Sequence, residues 1–369
     1  MKKHLVLIGG GHAHMVTLAN INSLVAKDHQ VTVIGPSEYH YYSGMGPGML
    51  GGTYDPEDIR FHTRKTVEDQ GGIFILDSAV RIDPDKRIVR TASGRNIPYD
   101  VLSCNAGSYI KKPENVDQSK TVFSVKPIEQ LSQAREKIQT MIAEKSLEIA
   151  IIGGGPSSAE IAGNIIQLAG NSGGHMPKVR IFAGSLFMKR FPDKVRKLVH
   201  SSLVRRAVEI IESGHAKLIN DNCIVLKNGR NYNADLIFMA TGVHPSTIFT
   251  ESGLPIGPDG LLVNRFLQSV KHPEIFGGGD CIYFADHPLD KVGVYAVRQN
   301  QVLYHNLLAA LEGNELEEFD PKGKYLLIFN LGNGDGVLHK YWLTFGGRLA
   351  FIIKDYIDRK FMRRFQALG

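Results

Sequence analysis

The chain is poor in cysteine: only Cys104, Cys223 and Cys281 occur in 369 residues. None stands in a close pair, so neither a CxxC redox motif nor a zinc site is signalled, and no metal is expected. Such sparse, odd usage fits a reducing compartment. Long apolar runs are lacking too. No stretch reaches the roughly 18 residues of a spanning helix. The run Leu5-Val6-Leu7-Ile8 is too short for a signal-peptide core. The expectation is a cytoplasmic protein, with attachment to the inner face of the plasma membrane as the variant that the tail raises below. A broadly basic surface is also missing. Seven basic against two acidic residues in 340–369 supply +5 of a formal net charge of +6. The remainder is almost neutral, which argues against a nucleic-acid partner and marks the tail as the place for an acidic partner surface. Low-complexity tracts are absent, and the length suits two to three domains.

What the chain has is glycine, 39 residues of it, much of it in turns that follow apolar strands. The first strand runs into Gly9-Gly10-Gly11-His12-Ala13-His14 and a helix-like stretch, with a second strand over 30–34. The outline returns as a strand over 147–152, the turn Gly153-Gly154-Gly155-Pro156-Ser157-Ser158, a helix, and a strand over 178–183. Gly9 permits the tight turn, and Gly11 lets the backbone approach a pyrophosphate at a helix N-terminus. His14 fills the third glycine position and should hold its helix further from the strand; Ser158 is small enough for that place in the second turn. Glu160 falls in the first helical turn, where it either serves the helix dipole or acts directly in the site.

Two such outlines predict an α/β fold with two Rossmann-like, dinucleotide-binding domains, the second inserted in the first. The expected division is 1–115 with 243–325, then 116–242, then a basic amphipathic segment over 326–369. Segments 74–82 and 87–89 read as strands flanking a turn at Asp83-Pro84-Asp85-Lys86. Strand ends at Ala106-Gly107, Thr241-Gly242 and Gly279-Asp280 complete the cofactor-lining set, and 294–311 reads as a helix.

As an ordered set these motifs are specific. With Tyr42-Ser43-Gly44-Met45-Gly46-Pro47-Gly48, Gly293-Val294-Tyr295-Ala296-Val297-Arg298-Gln299 and the run from Lys354 to Met362, the chain resembles the two-dinucleotide-binding-domain flavoproteins of the pyridine nucleotide-disulfide oxidoreductase superfamily. Within it the likeness is to type II NADH dehydrogenases and to the flavoprotein domain fused to some selenophosphate synthetases. The resemblance implies that Gly9, Gly11 and His14 line the FAD pyrophosphate. Val80 would meet the adenine through its backbone, and Asp280 would take the ribityl hydroxyls. Gly46 and Pro47 would lie along the isoalloxazine, although a plain turn is the other reading of Pro47. Gly153, Gly155, Ser158 and Glu160 would form the nicotinamide side. Tyr295, Ala296 and Gln299 would border the flavin and a quinone site; Tyr295 and Gln299 are also spaced as an ordinary helix-face pair. Glu160, Tyr295 and Gln299 are the candidate catalytic residues. The family's additional glutamine is replaced here by Val294.

A dinucleotide site usually carries an acid at the end of its second strand to hold the ribose hydroxyls. In the first domain the nearest is Glu38; in the second, Ala183, Gly184 and Ser185 follow the strand with no acid among them. A 2′-phosphate is then not repelled, and Lys189 or Arg190 could attract one. NADH, NADPH and a decayed nicotinamide site in a non-catalytic, flavin-bound module all stay open. A sulfide- or thiol-oxidising enzyme using Cys104 and Cys281, which both follow motif strands, is the other alternative; two buried small side chains are the plainer account.

The tail combines aromatics with base. Leu349, Ile352, Ile353, Tyr356 and Ile357 share one helical face, which Phe361, Met362 and Phe365 continue with rotation. The drift suggests a bend or two short helices. Residues 342–369 could lie on an anionic membrane, as the monotopic type II enzymes do, or pack on their own body or on a second copy in a homodimer. The partners expected overall are a nicotinamide nucleotide and a quinone-like acceptor.

Overall fold

The computed structural model describes residues 1–113, 119–212, 214–220 and 222–366. The expected domain boundary at 115/116 and the last three tail residues lie outside these.

The run Leu5-Val6-Leu7-Ile8 is apolar on both faces because it is the middle strand of a parallel sheet covered on both sides. That sheet has the order Ile275–Gly277, Val101–Cys104, His4–Ile8, Gln30–Gly35 and Ile73–Leu76. A second five-stranded parallel sheet repeats the arrangement with Val122–Ser124, Leu236–Met239, Glu148–Ile152, Lys178–Phe182 and Glu209–Ile211. Each has a three-stranded antiparallel sheet inserted in its chain course: Ala79–Asp83, Ile88–Thr91 and Asn96–Pro98 between Ile73–Leu76 and Val101–Cys104 in the first, Ala216–Asn220, Cys223–Leu226 and Asn231–Asn233 between Glu209–Ile211 and Leu236–Met239 in the second. The fold is therefore the α/β, doubly Rossmann-like one. The segment read as one strand over 74–82 is two strands in two sheets. They part at Asp77, whose N–H still bonds Gly35, while Ser78 bonds the Asp77 carboxylate. Two short antiparallel strands, Ser108–Tyr109 and His244–Pro245, join the halves.

The tail differs from its expected form. Three antiparallel strands, Leu327–Asn330, Gly336–Lys340 and Leu343–Gly347, precede one unbroken helix, Arg348–Gln366. The apolar stripe drifts because its two ends serve different surroundings. Ala350, Lys354, Asp358 and Met362 face inward, with Phe361 and Phe365 against the core. Leu349, Ile352 and Tyr356 face outward and are exposed. No bend is needed.

Candidate functional site

Both glycine turns close on the neighbouring strand. Gly9, at φ +83°, donates to Ile34 O at 2.8 Å, and Gly153, at φ +140°, donates to Phe182 O at 3.0 Å. A Cβ on Gly153 would lie 2.1 Å from Ala240 O, and one on Gly11 would lie 2.7 Å from Asn105 Nδ2. Nothing stands within 4 Å of a Cβ on Gly155, which caps the helix Pro156–Ser172. The second turn is thus open where a pyrophosphate would approach the helix N-terminus.

The first turn shows the same readiness in another form. Asn105 Nδ2 and His12 Nε2 are buried with no hydrogen-bond partner. Asn105 Oδ1 lies 2.7 Å from where Gly279 would carry a Cβ, so its amide sits between Gly11 and Gly279. A buried donor without an acceptor costs free energy; phosphate or hydroxyl oxygens of FAD would supply one. Asp280 stands beside this amide. Its carboxylate accepts from Lys126 Nζ at 2.6 Å and Ser108 Oγ at 2.8 Å. Burial alone would raise its pKa, but Lys126 and Ser108 outweigh burial and hold it below the usual range. The residues present fit the cofactor.

His14 departs from its expected role. Its ring is fully buried, with Nδ1 bonded to Gly9 O at 2.6 Å and Nε2 to Ser103 Oγ at 2.8 Å. It ties the turn to the strand Val101–Cys104, and burial lowers its pKa to about 4. Gln299 also has a different place: 1 % exposed, its Oε1 accepts from Gly279 N at 2.7 Å. It fixes the Gly279-Asp280 turn from behind, with Ala296 3.7 Å from a Cβ on Gly279. Tyr295 points elsewhere, edge-on to Tyr325 at 5.4 Å. The two expected neighbours therefore point to different surroundings.

Gly46 and Pro47 lie buried in the first turn of a short helix, Gly46–Leu50, packed on Ile128. Glu38 is ion-paired with Arg64 at 2.7 Å. Val80 falls at a register shift in its strand, its side chain exposed. Gly107 and Gly242, both at positive φ, flank the paired strands joining the two halves, next to Ala106 and Thr241. Ser158 is buried with an unpartnered Oγ.

A band of side chains whose coming together the sequence did not reveal connects the two turns. The His12 ring stacks on Phe361 at 5.7 Å and meets Tyr42 at 5.2 Å. His40 Nε2 lies 3.3 Å from His12 Nδ1. Tyr42 donates to Asp358 Oδ1 at 3.0 Å. Asp358 pairs with Lys354 at 2.8 Å, and Lys354 also donates to Gly44 O at 2.9 Å. Glu160 completes the band, accepting from Asn330 N at 2.9 Å. Burial raises its pKa to about 7, against the downward pull of Lys354 and the Asn330 N–H. Burial would lower Lys354, but Asp358 and Glu160 outweigh it and lift the ammonium above its ordinary value. His12, Tyr42 and Asp358 carry no spacing signal; only the tail helix crossing between the turns brings them together.

Cys104 and Cys281 are fully buried, and Cys281 Sγ donates to Cys104 O at 3.4 Å. Burial pushes both thiols up, Cys281 to about 11. A relay needs thiolate, and these thiols are held protonated. Cys104→Ala and Cys281→Ala are expected to leave both flavin reduction by NAD(P)H and flavin reoxidation by a quinone intact in stopped-flow traces, whereas a thiol relay from flavin to acceptor would be lost at the reoxidation step in either variant.

Two parallel sheets, two glycine turns and the carboxylate at Asp280 define a flavoprotein oxidoreductase that binds FAD and NAD(P)H. The sequence profile of the pyridine nucleotide-disulphide oxidoreductase family matches residues 3–302, and the chain belongs to that family. It is 23% identical, over 100% of its length and 97% of the relative's, to a type II NADH:quinone oxidoreductase of Staphylococcus epidermidis. It is 26% identical over 76% of its length to the nitrite reductase [NAD(P)H] of Bacillus subtilis, of which it spans only 34%. Among solved structures, the sulfide:quinone oxidoreductase of Aquifex aeolicus superposes with a TM-score of 0.78 at 20% identity, covering 100% of this chain and 92% of that one.

Proposed function

We propose that the protein passes a hydride from NADH or NADPH to FAD and delivers the electrons to a quinone-like acceptor at a membrane surface. Bound FAD supplies the hydride acceptance and the onward electron transfer; the chain's residues orient and exclude. In this reading Gly9, Gly11, Asn105, Gly279 and Asp280 hold FAD in a domain built from 1–115 and 243–325. Gly153, Gly155 and Ser158 hold the nicotinamide nucleotide in 116–242. Gln299 positions the Asp280 turn, and Glu160 holds a proton on its carboxyl near neutrality, where a quinone receiving a hydride equivalent needs one further proton to become a quinol.

The observation that carries the proposal is the double role of the tail helix. Its inner face sets Lys354 and Asp358 between the two glycine turns. Its outer face continues an exposed apolar surface with Trp342, 87 % exposed, and Tyr356, 65 % exposed. Arg348, Lys360, Arg363 and Arg364 are exposed along the same helix. Apolar and basic side chains on one surface suit an anionic bilayer, each cation near it contributing on the order of 1 kcal/mol. Among the described residues no helix is long and apolar enough to cross a membrane.

Two measurements test this. Anaerobic mixing with NADH and with NADPH should bleach the flavin, and a soluble quinone should restore its colour; no bleaching by either overturns the donor, and no recolouring overturns the acceptor. Flotation with anionic vesicles should be lost in a variant carrying Trp342→Ser, Leu349→Ser, Ile352→Ser and Tyr356→Ser. Unchanged flotation removes this surface from the proposal. Truncation is not an equivalent test, because the same helix is packed into the core.

A further inference from the structure

The second sheet has no acid after its second strand, yet it has one beside that position. Strands Lys178–Phe182 and Glu209–Ile211 run parallel with Phe182 opposite Ile211, and Ala183 N donates to Ile211 O at 3.0 Å. The next residue of the neighbouring strand is Glu212, which emerges alongside Ala183 at the same sheet edge. Its Oε1 accepts from Phe187 N at 2.8 Å, which draws the carboxylate onto the loop leaving the second strand. That loop is tied to the glycine turn by Met188 N donating to Gly154 O at 2.8 Å. Glu212 is exposed to solvent. The customary place for the acid is meanwhile closed at Gly184. Its φ is +72°, and a Cβ there would lie 2.9 Å from the His215 ring.

We propose that Glu212 is the carboxylate that receives the adenosine ribose hydroxyls, supplied by the third strand of this sheet rather than the second, and that the chain therefore prefers NADH to NADPH. The inference rests on the nicotinamide-nucleotide reading of the second glycine turn. A carboxylate accepts the two hydroxyls of an unmodified ribose, and its charge repels a 2′-phosphate. The basic side chains nearby do not reverse this. Arg196, which shares a cleft with Glu212, is paired with Asp193 at 2.7 Å. Lys197 and His200 line the same cleft and, with Lys189 and Arg190, are the groups a 2′-phosphate would choose if Glu212 were only a loop support.

Glu212→Gln separates the roles, since glutamine keeps an acceptor for the Phe187 N–H and loses the charge. Calorimetric titration of the FAD-loaded protein with ADP-ribose and with 2′-phospho-ADP-ribose reads the adenosine end without any hydride transfer. The wild type is expected to bind ADP-ribose at least about 10-fold more tightly, roughly one hydrogen-bonded recognition element, and the variant to bring the ratio close to one. Tighter binding of the 2′-phosphorylated ligand by the wild type, or an unchanged ratio in the variant, overturns the assignment. Parallel stopped-flow traces distinguish it from the reading beneath it. ADP-ribose binding through Glu212 without flavin bleaching by either nucleotide would sink the donor reading and leave the ribose site standing. Bleaching by NADH with no ADP-ribose binding would sink the ribose site alone.

Discussion

Lys354→Met is expected to destabilise the FAD-loaded protein by about 3–5 kcal/mol in urea unfolding, the usual cost of removing one partner from a buried ion pair. The pair is well enclosed, with side-chain exposures of 11% for Lys354 and 5% for Asp358. Losing the ammonium strands the Asp358 carboxylate with, among the described residues, the Tyr42 hydroxyl to donate to it, and also takes the Lys354 donor from Gly44 O. The cost should be the desolvation of that one charge rather than the worth of the pair. Adding Asp358→Leu to Lys354→Met should therefore recover much of the loss, because replacing both members by apolar groups is often close to neutral. A double variant as unstable as the single one would show that the helix needs the pair for its geometry.

The same substitution has a pH signature. The Glu160 carboxyl has a pKa raised to about 7, so it is protonated below that pH and ionised above it. A rate of flavin reoxidation by quinone that draws on this proton falls as pH rises through about 7. Lys354 is the largest influence holding Glu160 down; without it the pKa rises further, and the falling limb of the profile moves to higher pH. Glu160→Gln should remove that limb. Lys354→Arg keeps the charge and should leave the limb near its original place, which separates the electrostatic effect from lost stability.

Much of the architecture was legible in the sequence because it is written locally. A strand that must be apolar on both faces, a turn that must be glycine and the start of a helix all fall within about a dozen residues, and this happens twice. Gly153 illustrates the constraint: a carbonyl 2.1 Å from its would-be Cβ leaves no other residue a place. The site was legible only as far as such local rules extend. Asp280 was found beside a glycine turn, but its partners Lys126 and Ser108 lie 154 and 172 residues away. His14 and Gln299 were named as residues near the cofactor. What spacing could not give was side-chain direction: His14 Nδ1 bonds Gly9 O of the first glycine turn, and Gln299 Oε1 accepts from Gly279 N of the Gly279-Asp280 turn.

The tail shows the opposite difficulty. Its pattern was visible but had more than one solution, because an apolar face says that something covers it and not what. Phe361 and Phe365 are covered by the body, while Leu349 and Tyr356 stand exposed among the described residues. The missing ribose acid is a related case. Reading one strand at a time finds no acid after Phe182; parallel register brings Glu212 to that edge from more than twenty residues on.

Gly163→Ala should be among the most damaging single substitutions in the molecule, though it adds only a methyl group. Gly163 lies in the middle of the helix Pro156–Ser172, where alanine is ordinarily the better residue by roughly 0.5–1 kcal/mol. Here the helix runs directly against the loop that follows the first tail strand, and a Cβ would lie 1.9 Å from Leu331 O. The obstacle is backbone, and the loop cannot yield easily. Asn164 Nδ2 donates to Asn330 O at 3.1 Å, Asn330 N donates to Glu160 at 2.9 Å, and Gln167 Oε1 accepts from Asn333 N at 2.5 Å. To admit the methyl group the tail sheet must lift from the helix, breaking these bonds and exposing Phe329 and Leu331, both now buried. A loss of at least about 3 kcal/mol is expected, at or beyond the upper end of ordinary overpacking. Because the tail sheet carries the helix that bears Lys354, proteolytic cleavage within 326–366 should accelerate, and quinone reoxidation of the flavin should fall more than reduction by NAD(P)H. Gly170→Ala is the internal control. It lies in the same helix with nothing within 4 Å of its would-be Cβ, and it should stabilise by a few tenths to about 1 kcal/mol. If the two substitutions behaved alike, close backbone contact with the tail would not be what Gly163 secures.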